Sequence, residues 1–170
     1  MVSSRSFCFN VYSLSVIQNE RRLMGFNEDI ERGESVEYKI LELIRETYPS
    51  ADKKKGYFKE YDIEIPEIDT TVEVKYDEMS AVTGNLVVET EFDSKPSALS
   101  TTTADYWLFV TPTELMWIKP TAIWSVIRFH NYSLRRFIGN GDTKYKKAFL
   151  VKTYHIRSLC NPVTKHDLFK

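Results

Sequence analysis

In the stretch "TTVEVKY" (residues 70–76), an acid and a lysine stand two residues apart inside a β-branched run. On a strand, successive side chains alternate between faces, so Thr71, Glu73 and Lys75 share one face while Val72, Val74 and Tyr76 share the other. A solvated sheet face carrying an ion pair accounts for this pattern. A metal ligand beside a catalytic lysine accounts for it equally, provided that further carboxylates converge on the same place.

The flanking segments supply such carboxylates. "YFKEYDIEI" (57–65) reads as a strand, and "PEID" (66–69) reads as the turn that brings the chain back, with Asp69 serving turn chemistry. A hairpin with Ile65 opposite Thr70 places Glu64 opposite Thr71 and Asp62 opposite Glu73. Directly opposed residues have Cβ atoms roughly 4.5–5.5 Å apart. Two carboxylates at that separation destabilise a sheet unless a cation neutralises them. Mg²⁺ suits such a place, because it takes one or two carboxylates plus waters and substrate phosphates. Lys75, one repeat beyond Glu73 on the same face, is positioned to hold an attacking water or to stabilise phosphoryl charge. A third carboxylate, Glu37, lies at the border of the apolar face of a helix expected over 35–48 and reaches the site if that helix crosses the hairpin. Its alternative is an ordinary solvated helix position.

A helix bearing Glu37, then "YDIEI", a turn and "VEVK" resembles the PD-(D/E)XK nuclease superfamily over residues 34 to about 119. "TGNLVVETEF" and "PSALSTTTADYWLF" resemble small phage-type or resolvase-like members. The resemblance implies a restriction-endonuclease-like αβββαβ core, a mixed sheet flanked by helices. It also implies Mg²⁺ (or Mn²⁺) held by Asp62, Glu73 and Glu37, with Lys75 catalytic. Tyr61 stands where the motif has proline. Members cleave nucleic-acid phosphodiesters, and many dimerise to cut two strands, so a homodimer is one expected assembly.

The elements that must position these residues follow from pattern. Val36, Ile40, Leu43 and Ile44 recur at helical spacing, with Ser35 as N-cap and Pro49 as stop. Gly84 opens a third strand, "NLVVETEF", which completes a meander, and one helical turn begins at Ser97. "YWLFV" and "LMWIK" are strands around Thr111-Pro112-Thr113. A helix spans Thr121 to Ile138, ended by Gly139-Asn140-Gly141, and "KKAFLVKTYHI" is a final strand. Trp107, Phe109, Trp117 and Trp124 read as core. The hydroxyls of Ser97, Ser100, Thr101, Thr102 and Thr103 suit phosphate contacts or an ordinary loop equally well.

With 170 residues and no linker rich in Pro, Gly or Ser, the chain reads as one nuclease-like domain. Its core is expected at about 28–138, with an N-terminal arm at 1–27 and a basic extension at 139–170 packed on it. The N-terminal "FCFNVYSLSVI" lacks a cleavage site and is too short to span a bilayer. Cys8 and Cys160 read as reduced thiols or as one terminal disulfide. A cytoplasmic location follows, or the host cytoplasm if phage-encoded.

The charge is unevenly spread. Residues 1–127 carry 13 Lys+Arg against 22 Asp+Glu, and residues 128–170 carry 10 against 2. A basic end on an acidic chain points to a polyanion or simply to solvated elements. Arg128, Arg135, Arg136, Lys144, Lys146, Lys147 and Lys152 are the best candidates for binding DNA, with RNA an open alternative. Lys53-Lys54-Lys55 forms a second basic run. His130, His155 and His166 lack ligand spacing, and no phosphate-binding or dinucleotide-binding glycine loop is present.

The expected function is that of a metal-dependent DNA endonuclease. The alternative is a catalytically inert protein of nuclease fold that binds nucleic acid or a nuclease partner. A carbohydrate hydrolase built on Asp62 and Glu73 is disfavoured, because carboxylates on paired strands sit closer than glycosidase carboxylates do and nothing then explains Lys75.

Overall fold

The computed structural model describes residues 26–56, 60–139, 142–160 and 163–164. The expectations for Cys8 and most of the N-terminal arm, for a strand beginning at Tyr57, for Asn140-Gly141 and for His166 fall outside these residues.

Helix α1 (Phe26–Arg45) begins well before Ser35. Its first turns are acidic in sequence, a composition that the amino end of a helix dipole favours, and they lack the apolar repeat that marks the rest. Val36, Ile40, Leu41, Leu43 and Ile44 are buried along one stripe. The helix stops before Pro49, and the Arg45 guanidinium holds its end by donating to Ala51 O at 2.8 Å and Asp52 at 3.0 Å.

The strands follow as β1 (Asp52–Lys53), β2 (Ile63–Ile65), β3 (Thr70–Tyr76), β4 (Asn85–Phe92), β5 (Lys95–Pro96), β6 (Tyr106–Val110), β7 (Glu114–Ile118), β8 (Leu134–Ile138), β9 (Tyr145–Lys152) and β10 (Val163–Thr164). Helices α2 (Ser80–Thr83), α3 (Pro120–Phe129) and α4 (Thr153–Arg157) lie between them. The result is a mixed α/β fold with two sheets and four α-helices among the described residues. The first sheet has the order β1-β2-β3-β6-β7-β10, and the second β5-β4-β9-β8.

The β2–β3 hairpin takes the expected register, Ile65 opposite Thr70 and Glu64 opposite Thr71. Pro66–Ile68 forms a 3₁₀ turn, and Asp69 closes it with φ 48, its N–H donating to Pro66 O. Asp tolerates this left-handed conformation better than most side chains.

The expected three-strand meander does not form. β3 pairs in parallel with β6, and β4 joins the second sheet against β9. Parallel neighbours require a crossover, and residues 77–105 supply it. Asp77 anchors this crossover: one carboxylate oxygen accepts the Ser80 N–H at 2.9 Å and the other the Val87 N–H at 3.0 Å. At the other end, Asp105 accepts from Thr71 N and Oγ1, tying the starts of β3 and β6 together.

The helix expected from Thr121 to Ile138 is also revised. Pro120 starts α3 at a position where its missing N–H costs nothing. Asn131 at φ 52 ends the helix, with Tyr132 N–H bonded back to Ile127 O. Residues Leu134–Ile138 are instead β8, paired with β9. The last expected strand stops at Lys152, and Thr153–Arg157 turns into α4.

Two apolar clusters flank the first sheet. Ile63, Ile65, Val72, Val74, Leu108 and Val110 pack against α1 on one face. Trp107, Phe109, Met116 and Ile118 pack on the other against Leu86, Val88 and Val151 of the second sheet and against α3 and α4. Each large side chain buried in this way contributes about 1.5–3 kcal/mol. No described helix is long and apolar enough to cross a membrane.

Candidate functional site

The alternation of β3 sets the site. Val72 and Val74 are buried towards α1, which leaves Glu73 and Lys75 on the face that carries Trp107 and Phe109, their register partners on β6. Lys75 Nζ lies 2.5 Å from Glu73 Oε1 and 5.3 Å from the centre of the Trp107 ring. The pair is partly enclosed, with 31% of the lysine and 14% of the glutamate side chain exposed.

Asp62 stands where the regular β2 ladder ends. Its N–H donates to Val72 O at 2.9 Å, and its buried carboxylate accepts the Val74 N–H through Oδ2 at 2.8 Å. It therefore grips β3 on both sides of Glu73. The side chain replaces a backbone acceptor that the departing strand no longer offers to Val74, which explains the burial of an acid here. Asp62, Glu73 and Lys75 are thus brought together.

Glu37 is placed differently. It pairs with Lys53 at 2.8 Å, the two side chains being only 17% and 13% exposed. Lys53 stands opposite Ile63 on the α1 side of the sheet, and its ammonium lies over the Tyr38 ring at 4.4 Å. Among the described residues, no group of three or more Asp, Glu, His or Cys is assembled to hold a metal.

The basic candidates divide into two kinds. Lys144 pairs with Asp93 at 3.5 Å, Lys146 with Asp142 at 2.7 Å and Glu89 at 3.4 Å, and Lys147 with Glu91 at 2.9 Å. Burial alone pulls the Lys146 ammonium down, but Asp142 and Glu89 outweigh it and raise its pKa above the ordinary value. Arg128, Arg135, Arg136 and Lys152 make no ion pair among the described residues; Arg136 stacks on Tyr145 at 4.1 Å, and Arg128 lies 5.9 Å from the Trp124 ring. The β8–β9 hairpin does bring Arg136 opposite Lys147. The acids of β4 and its turn escape a linear reading, because only the β4–β9 register reveals which lysine each one meets.

The hydroxyl-rich segment is largely used within the fold. Ser97 Oγ donates to Glu89 at 2.5 Å, and Thr102 Oγ1 accepts from Trp107 Nε1 at 3.2 Å. No protein-family model matches the chain, and no curated protein or solved structure matches it significantly.

Proposed function

We propose that the protein is a metal-dependent nuclease acting on DNA, with a core of the restriction-endonuclease-like kind. One observation carries this reading: Asp62 grips β3 immediately before and after Glu73, with Lys75 two residues on. The order of elements supports it. A long helix precedes a strand that Asp62 immediately leads into, which pairs with a Glu-x-Lys strand, which in turn pairs in parallel with a later strand after a crossover.

The residues present fit a hard divalent cation. Asp62, hydrogen-bonded to β3, and Glu73 on that strand offer carboxylate oxygens, the donor type and number that Mg²⁺ takes when waters and phosphates complete its shell. The Glu73–Lys75 contact marks a carboxylate already held against a positive charge. When bound, Mg²⁺ or Mn²⁺ supplies charge neutralisation at the scissile phosphate and acidifies a bound water.

The chain's own groups do the rest. Lys75 presents an ammonium beside Glu73 and over an indole face, where it can donate a hydrogen bond to a water or a phosphoryl oxygen. Trp107 and Phe109 beneath it exclude solvent and strengthen that contact. Asp62 is fixed by two backbone hydrogen bonds, so its carboxylate is oriented before substrate arrives. Arg135, Arg136, Arg128 and Lys152 are the cations left to meet backbone phosphates.

A second reading is favoured by the engagement of Glu37 with Lys53. A nuclease-fold protein reduced to two carboxylates could bind nucleic acid without cutting it. Incubation with supercoiled, linear, branched and single-stranded DNA, and with RNA, in Mg²⁺, Mn²⁺ or chelator separates the two. Metal-dependent products support the nuclease. Binding that is indifferent to chelator, with no product in any metal, supports the inert binder and overturns the first reading.

A further inference from the structure

The end of α3 and the start of α4 assemble rings that sequence spacing gives no reason to group. His130 and His155 stack face to face, with centroids 3.5 Å apart and planes 7° apart. Phe129 meets His130 edge-on at 4.9 Å, and Tyr154 meets His155 at 4.2 Å. The outer rings stand in solvent: Phe129 is 81% exposed and Tyr154 57%.

The ladder is held in place from below. Tyr132 oxygen accepts the Lys152 N–H at 2.8 Å and lies 2.7 Å from His155 Nδ1. This one hydrogen bond orients the imidazole beneath the ladder. Burial, followed by the neighbouring His130, lowers the pKa of His155, which favours its neutral form.

Two cations adjoin the ladder's residues in the chain. Arg128 precedes Phe129 on α3, and Lys152 precedes α4; both are exposed, and neither has an acidic partner among the described residues. The start of α4 is tied to the crossover that leaves β3. Asp77, the residue after β3, holds Val87 of β4, and Thr153 N–H donates to Gly84 O just before that strand.

We infer that the Phe129–His130–His155–Tyr154 ridge is a stacking surface for the unpaired bases of a single-stranded nucleic acid, with Arg128 and Lys152 meeting its phosphates. Exposed π-faces beside unpaired cations are the two features that sequence-tolerant single-strand binding requires. A duplex buries its base faces and leaves the rings nothing to stack on. The choice of a nucleic acid as occupant rests on the nuclease reading, while the ring geometry stands apart from it.

The test measures equilibrium binding of a fluorescently labelled oligodeoxythymidine and of a duplex of equal length to the full chain in chelator. Wild type is compared with F129A/Y154A, with F129W/Y154W, and with R128A/K152A. The ring deletion is expected to weaken single-strand binding about tenfold or more while leaving duplex binding unchanged, and the tryptophan variant to retain it. The charge deletion weakens single-strand binding and flattens its salt dependence. No single-strand binding by the wild type, or equal binding by wild type and F129A/Y154A, overturns the inference. Because no metal is present, loss of the nuclease reading shows in the cleavage screen and not here.

Discussion

Asp62 Oδ2 accepts the Val74 N–H at 2.8 Å, so the acid proposed to hold a metal is also the acceptor that β3 needs where β2 departs. The two roles separate by substitution. Asp62→Ala leaves a buried N–H unpaired and is expected to cost about 1–3 kcal/mol in urea unfolding. Asp62→Asn keeps an oxygen for Val74 and is expected to fold with nearly wild-type stability while binding Mn²⁺ much more weakly in calorimetry. Equal Mn²⁺ affinity in wild type and Asp62→Asn would remove Asp62 from the metal set.

A second acid has a purely structural task. Glu114 on β7 is almost fully buried and takes a bidentate contact from Arg157 of α4. Its hydrogen bonds raise the Arg157 pKa above the ordinary value. Arg157→Ala strands a buried carboxylate and is expected to destabilise by about 2–3 kcal/mol, less than a fully enclosed pair because Arg157 keeps nearly half its surface in water. Denaturant midpoints that coincide for variant and wild type would refute this.

Much of the local structure near the site was legible. "PEID" between two alternating runs fixes a hairpin register, and that register brings Asp62 beside Glu73. The destination of β4 was not. Its alternation fits a neighbour of β3 as well as a neighbour of β9, and the deciding contacts, such as Asp77 with Val87, join segments whose spacing in the chain carries no signal. The single α-helix read through Ile138 failed for a smaller reason. Leu134 and Ile138 continue a helical spacing by coincidence, and Asn131, the residue type that ends helices in the left-handed conformation, was the overlooked stop. Glu37 was legible as a helix acid, but its partner Lys53 depends on how α1 lies across β1.

Cys160 is expected to be a poorly reactive thiol. Burial, and then the charge of Glu114, push its pKa up to about 11, while its Sγ–H reaches Ile156 O at 3.3 Å. Relative to an ordinary thiol near 9.0, the thiolate fraction at pH 8 falls about a hundredfold. Peptide mapping after brief alkylation should show Cys160 unmodified in the native protein and modified once urea is added. Rapid native alkylation at this position would contradict the packing described for α4.

His155 gives stability a pH dependence of fixed sign. Burial and the adjacent His130 lower the folded-state pKa of His155 below its ordinary value of 6.5. The unfolded chain therefore binds the proton first as pH falls. The contribution is fully present above that ordinary value and is lost on acidification through the folded pKa. Thermal melts should fall in that direction between neutral and mildly acidic pH, and His155→Phe should reduce this part of the dependence. A variant with the wild-type pH profile would show that the stack does not couple to folding.

Lys75 is the residue on which the functional account turns. Removing a partly exposed ion pair from β3 is expected to cost no more than about 1–2 kcal/mol, so Lys75→Ala should fold. The most direct measurement is its rate of cleavage beside wild type, in Mg²⁺ or Mn²⁺ and in chelator, on whichever DNA form the wild type cuts. The account predicts metal-dependent cutting by the wild type and a loss of about 10²–10⁴-fold in the variant, with circular dichroism unchanged. Undiminished cutting by Lys75→Ala, or no metal-dependent cutting by the wild type on any form, would contradict it.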